Sequence, residues 1–198
     1  MIRVESYPTA PPCVADAKEE AEASAGRARL RRFIESHHAL LWRSVRRFGV
    51  PSNRTDEAVS RVIDVVMRRL GEIAPEKEQA FAIQVCVRVA SEFRRAEQAR
   101  VRNQVATPIE ELASAAPSPE ELLEQKQCRA MLDKVLNTLD PDLRVVLVLH
   151  EVEQWTTAKI AESLQIPPGT AASRLRRARE QFAEAAARAR LPSTGERR

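Results

Sequence analysis

The chain has 198 residues, enough for one ordinary domain or two small ones, with 43% hydrophobic and 30% charged residues. Only 5 glycines and 4% aromatics suit packed helices better than a β-sandwich, so the expected fold is all-α. The formal net charge is +4, but the basic residues cluster, and clustering decides whether a surface attracts phosphate. Cys13, Cys86 and Cys128 form no Cys-x-x-Cys pair, which argues against a disulfide framework or a thiolate zinc site. No basic-then-apolar leader and no apolar run of about 18 residues appear, so no membrane insertion and a cytoplasmic location are expected.

The first residues are acidic and proline-bearing, with Glu5, Asp16, Glu19, Glu20 and Glu22 against Arg3 and Lys18, and read as a mobile tail over 1–27. Leu30, Phe33, Ile34, Leu40, Leu41, Val45 and Phe48 then fall at helical spacing, and Gly49 to Ser52 stop that helix. Thr55 reads as the cap of a second helix, with Asp56 and Glu57 in its first turn, where free N–H groups favour negative charge. Its apolar stripe is Val59, Val62, Ile63, Val66, Met67 and Leu70, and Gly71 ends it. Pro75 opens a third long helix whose inward stripe is Ala82, Val85, Cys86, Val89, Phe93 and Ala96. Arg88, Arg94, Arg95, Arg100 and Arg102, against Glu92 and Glu97, make that helix basic.

Pro108 and Pro117, among small and polar residues, mark 103–118 as a linker, with a short helical turn expected near Ile109 to Leu112. Beyond it Ser118-Pro119-Glu120-Glu121 is a capping-box signal for a helix to about Leu139. Asp140-Pro141 repeats the logic, and its cap favours a helix over Leu143 to His150, although Val145 to Leu149 has the composition of a buried strand. Ile160-Ala161-Glu162, a turn at Gln165 to Gly169 and an arginine-rich helix complete a helix-turn-helix. On its second helix Ala171, Leu175, Ala178 and Phe182 face inward, while Ser173, Arg176 and Arg177 share the outer face that can enter a major groove.

Segment 139–179, ending in Gly169-Thr170-Ala171-Ala172-Ser173-Arg174-Leu175-Arg176-Arg177-Ala178-Arg179, resembles region four of extracytoplasmic function (ECF) sigma factors. It departs at Lys159, where the family often has Glu, at Gln165, where Gly is frequent, and at Ala171, where Val is usual. Residues 28–102 resemble region two through Asp56-Glu57-Ala58-Val59-Ser60 and through Arg88 to Arg95, with Arg88 in place of Asn and Ser60 in place of Gln. The resemblance implies two small helical domains, 28–102 and 119–190, joined by the flexible linker 103–118 and followed by a tail, 191–198. It implies that Asp56, Glu57, Ser60, Arg61 and Asp64 dock on core RNA polymerase, and that Arg88, Ser91, Glu92, Arg94 and Arg95 meet the minus-ten promoter element. Thr170, Ala172, Ser173, Arg174, Arg176, Arg177 and Arg179 would meet the minus-thirty-five element. Promoter DNA and core polymerase are thus the expected partners and an anti-sigma factor a further candidate, with no cofactor.

Plainer readings compete. An arginine run is usually a solvated helix face, and Asp56 and Glu57 serve equally well as helix-start charges. Trp42 and Trp155 read as core or anchoring aromatics rather than base-stacking platforms. His37, His38 and His150 lack partners at ligand spacing, so neither a metal site nor base catalysis is expected. A stand-alone helix-turn-helix regulator is the alternative within binding proteins. An enzyme is disfavoured, because no phosphate-cradling glycine loop, Ser-His-Asp order or metal cluster is present.

Overall fold

The computed structural model describes residues 14–103 and 119–190, and every regular element among them is helical. The first helix, α1, runs Val14–Arg47, so helix begins well upstream of Gly26, where the sequence reading placed a tail. Alanine, glutamate and lysine dominate its opening turns, and their high helix propensity sustains a helix that Ser24 to Ala28 leave exposed. Burial starts at Leu30 and Phe33, where the large apolar residues begin. The helix closes in a Schellman pattern: Val50 N–H donates to the Val45 carbonyl at 3.1 Å, and Gly49 takes a φ of +102°.

After a 3₁₀ turn at Ser52–Arg54, α2 spans Thr55–Arg69. Thr55 is not its cap: it is buried in the first turn, and its hydroxyl donates to the Pro51 carbonyl at 3.1 Å. The predicted apolar stripe is buried at Val59, Val62, Val66 and Leu70, whereas Met67 is 49% exposed. Two short 3₁₀ turns, Leu70–Glu72 and Pro75–Lys77, lead into α3, Glu78–Asn103. Helices α1, α2 and α3 pack mutually around Phe33, Leu41, Phe48, Val62 and Phe93. Each such side chain contributes about 1.5–3 kcal/mol when fully buried.

The second unit holds α4 (Pro119–Thr138), α5 (Pro141–Glu151), α6 (Thr157–Leu164) and α7 (Pro168–Arg190). Asp140 caps α5 by accepting from Asp142 N–H at 2.9 Å, and the strand-like run Val145 to Leu149 is helical and buried on all sides. A helix apolar all round needs cover all round, which α7, α6 and the first unit supply. Thr156 caps α6 by accepting from Lys159 N–H at 3.2 Å. Its end copies that of α1, with Ile166 N–H donating to the Ala161 carbonyl at 3.0 Å, but the left-handed position is Gln165, at φ +54°, instead of glycine.

The two units share one continuous hydrophobic cluster, from Phe33 through Phe93 to Leu149 and Ala178. Polar contacts cross the same seam. Arg43 forks onto Glu153 at 2.9 and 3.2 Å, Arg46 pairs with Asp133 at 2.8 Å, and the Gln84 amide donates to the Ser163 carbonyl at 2.6 Å. Lys159 reaches Gln79 at 2.8 Å and lies over the Trp155 ring at 4.2 Å, which gives this departure from the family pattern a structural task. The expected linker turn at Ile109 to Leu112 and the Ser118 cap lie outside the described residues.

Candidate nucleic-acid interface

Helix α7 is held by Ala171, Leu175 and Ala178, all 5% exposed or less, packed with α5 and α6. Period 3.6 then dictates that Ala172, Ser173, Arg176 and Arg177 stand outward, and all four are exposed. Thr170 is half-buried, and its carbonyl accepts from the Ser173 hydroxyl at 3.0 Å. The remaining predicted residues are tied down. Arg174 pairs with Asp142 at 2.7 Å, and Arg179 reaches Glu151 at 2.7 Å and His150 at 3.4 Å. The Arg179 hydrogen bond holds the Glu151 carboxyl below the usual carboxylate range. Arg176 shares a charge with Glu180 at 2.8 Å, an exposed pair worth little that a phosphate can outcompete. Arg177 has no ion-pair partner among the described residues and is the freest guanidinium on this face.

On α3 the sequence-predicted residues divide. Arg88, Ser91, Glu92 and Arg95 lie at i, i+3, i+4 and i+7 on one outer face, with Ser91 half-buried and the others exposed. Arg94 turns inward and donates to the Phe48 carbonyl at the end of α1. Burial lowers its pKa, with Asp142 opposing and Arg95 reinforcing the shift.

On α2, Asp56, Glu57, Ser60, Arg61 and Asp64 are brought together on one exposed face. Glu57 is clasped by Arg54 at 2.9 Å and Arg61 at 2.8 Å, and the Arg54 hydrogen bond leads in lowering its pKa. Both guanidiniums also sit against the Phe93 ring, at 4.3 and 4.9 Å from its centre. Asp56 accepts from the Trp42 indole at 3.0 Å; that indole is 39% exposed, so Trp42 is a surface anchor and not a core residue. Trp155, at 6%, is buried as expected. No group of three or more potential metal ligands occurs among the described residues.

Residues 129–182 match the family model for Sigma-70, region 4. The C-terminal unit is therefore similar to sigma-70 region 4. The match covers the end of α4, α5, α6 and the first two thirds of α7, so the turn at Gln165 and the Arg176–Arg177 face lie within it. Among solved structures, CnrH in complex with the cytosolic domain of CnrY superposes with a TM-score of 0.60 at 19% identity, covering 83% of this chain and 92% of that one. The sigma factor RpoE, in complex with the anti-sigma factor NepR from Bartonella quintana, gives 0.60 at 15% identity, covering 78% and 94%. At these identities the likeness concerns the fold, and it extends over both units. No curated protein gives a significant sequence match. The region 4 match and the shared two-unit fold bear out the resemblance to ECF sigma factors. The matched family serves transcription initiation rather than catalysis. Among the described residues no helix is long and apolar enough to cross a membrane.

The sequence reading missed Arg144. Its signal was visible: one cation inside the apolar run Leu143 to Leu149, where the helix shows no polar face to receive it.

Proposed function

We propose that this chain is a promoter-specificity subunit that binds core RNA polymerase in the cytoplasm and directs it to DNA. The observation that carries the reading is the exposed Ser173–Arg176–Arg177 face of a region 4 helix-turn-helix. In this reading Thr170, Ala172, Ser173, Arg176 and Arg177 meet the minus-thirty-five element, with Arg174 and Arg179 bracing the helix from behind. Arg88, Ser91, Glu92 and Arg95 form the face offered to the minus-ten element, and Asp56, Glu57, Ser60, Arg61 and Asp64 the face offered to polymerase. An anti-sigma factor is a further partner, since both similar structures were solved as complexes, one of them with a named anti-sigma factor.

The test mixes the purified chain with core polymerase, follows co-elution, and measures transcription on templates carrying single-base substitutions. We expect a complex that initiates at specific promoters. Arg177→Ala should weaken promoter binding by about 1–3 kcal/mol and relax preference at one position, while Arg188→Ala, several turns on, changes little. Failure to bind polymerase together with tight binding to duplex DNA would instead establish a stand-alone regulator.

A further inference from the structure

The seam between the two units encloses a cleft of about 650 Å³, in the range of small-ligand sites. Its first wall is the end of α1 and the flank of α3, which supply Arg47, Arg94 and Arg102. Its second wall is the end of α4 and the start of α5, which supply Lys134 and Arg144. The acidic groups nearby are engaged: Asp133 with Arg46 at 2.8 Å, and Glu97 with Arg100 at 2.9 Å.

Arg144 is the centre of the cleft. It is 3% exposed, yet its Nε and Nη1 have no hydrogen-bond partner, and Nη1 of Arg47 is buried and unpartnered as well. Its guanidinium lies against Gly49, in the space that a side chain there would need, and beside the Arg94 methylenes. A buried cation with open donors is unfavourable unless something anionic meets it. Burial, followed by the nearby Arg94 charge, lowers the Arg144 pKa to about 10, which still leaves it cationic at neutral pH. On α2, by contrast, Arg54 and Arg61 approach each other around the Glu57 carboxylate. Here guanidiniums from both units converge around a cleft whose described carboxylates, Asp133 and Glu97, are already paired with Arg46 and Arg100, and although Asp133 offsets part of the charge on Arg144, the Arg144 Nε and Nη1 donors stay open.

We propose that this cleft is a binding site for a compact polyphosphate anion, which bridges Arg47 and Arg94 of the first unit to Arg144 and Lys134 of the second. Phosphate chemistry is favoured over a carboxylate because several forked donors approach from different sides, and a phosphate presents oxygens in all of those directions. Among the described residues no aromatic side chain lines the cleft, so the charged group is recognised and not a base. The bound anion would staple the two units in their packed arrangement. This inference rests on the cleft alone and stands or falls separately from the promoter reading.

The experiment titrates the full-length protein with inorganic tripolyphosphate by calorimetry and thermal denaturation, at an ionic strength held constant with chloride. We expect one saturable site, a rise in melting temperature, and weaker binding of orthophosphate. Arg47→Gln and Arg144→Met should each weaken binding at least about tenfold, while Arg31→Gln, on the exposed face of α1, leaves it unchanged. Should Arg144→Met fail to fold, the pair Arg47→Gln with Lys134→Gln is read in its place. Absence of saturable binding, or equal affinity in the cleft variants and the wild type, would overturn the proposal, since adsorption to the arginine face of α7 is indifferent to these residues.

Discussion

Helices α3 and α7 look alike as strings of arginine, yet they use their guanidinium groups for different ends. On α7 the inward stripe Ala171, Leu175, Ala178 leaves no arginine in the core, so Arg176 and Arg177 face outward. On α3 the neighbouring arginines part company: Arg95 faces out, and Arg94 folds back onto the Phe48 carbonyl and the Arg144 cleft. Local charge density therefore says little about which arginine can reach a nucleic acid. What decides is whether a second layer of protein covers that side of the helix: the end of α1 and the Arg144 side chain close over Arg94, where nothing among the described residues covers the Arg176–Arg177 face of α7.

The strongest way to break this contrast is at Gly49, whose positive φ and lack of a side chain admit the Arg144 guanidinium. Gly49→Ala should destabilise the protein by about 2–4 kcal/mol, from backbone strain plus displacement of buried Arg144. Gly26→Ala, in a helix with open space around it, should be neutral or stabilising by up to about 1 kcal/mol. Denaturant midpoints compare the two, and equal effects would mean that Arg144 can leave its place freely. Next, Arg94→Ala should cost about 1–3 kcal/mol of stability by stripping a donor from the Phe48 carbonyl, whereas Arg95→Ala should stay within about 0.5 kcal/mol. Matching thermal shifts would show that Arg94 is as peripheral as its neighbour.

The smallest effect compares the two helix ends of identical pattern. Gln165 holds the left-handed position that Gly49 holds in α1, so Gln165→Gly should raise stability by about 0.5–1 kcal/mol, read as a higher melting temperature. An unchanged midpoint would mean that the turn of the helix-turn-helix bears no strain.

The sequence made the elements legible where local chemistry dictates them. The stripe of α2, the Asp140-Pro141 start of α5 and the inward face of α7 follow from spacing and caps alone. It misassigned Thr55 because a threonine ahead of two acids satisfies the cap pattern equally well one residue inside the helix, where its hydroxyl reaches back to Pro51. It left Trp42 between core and anchor because an apolar stripe runs beside it, and the indole N–H decides for an anchor by finding Asp56 at the surface. The Arg144 cleft was beyond reach, since it needs the Arg144 side chain brought to Gly49, just past the end of α1, and no local pattern encodes a contact between residues so far apart in the chain. The outer faces were legible in composition, but which member of Arg94-Arg95 is free depends on the same long-range packing.

The shared core also has a bearing on synthesis. Chains emerge at about 5–20 residues per second, so α1, α2 and α3 are complete several seconds before α5 and α6 exist to meet them. During that interval Gln79 and Gln84 lack the partners Lys159 and Ser163, and the Phe48–Arg94 corner lacks Arg144. The nascent first unit thus displays an unfinished flank to the cell until its own C-terminal half arrives to cover it.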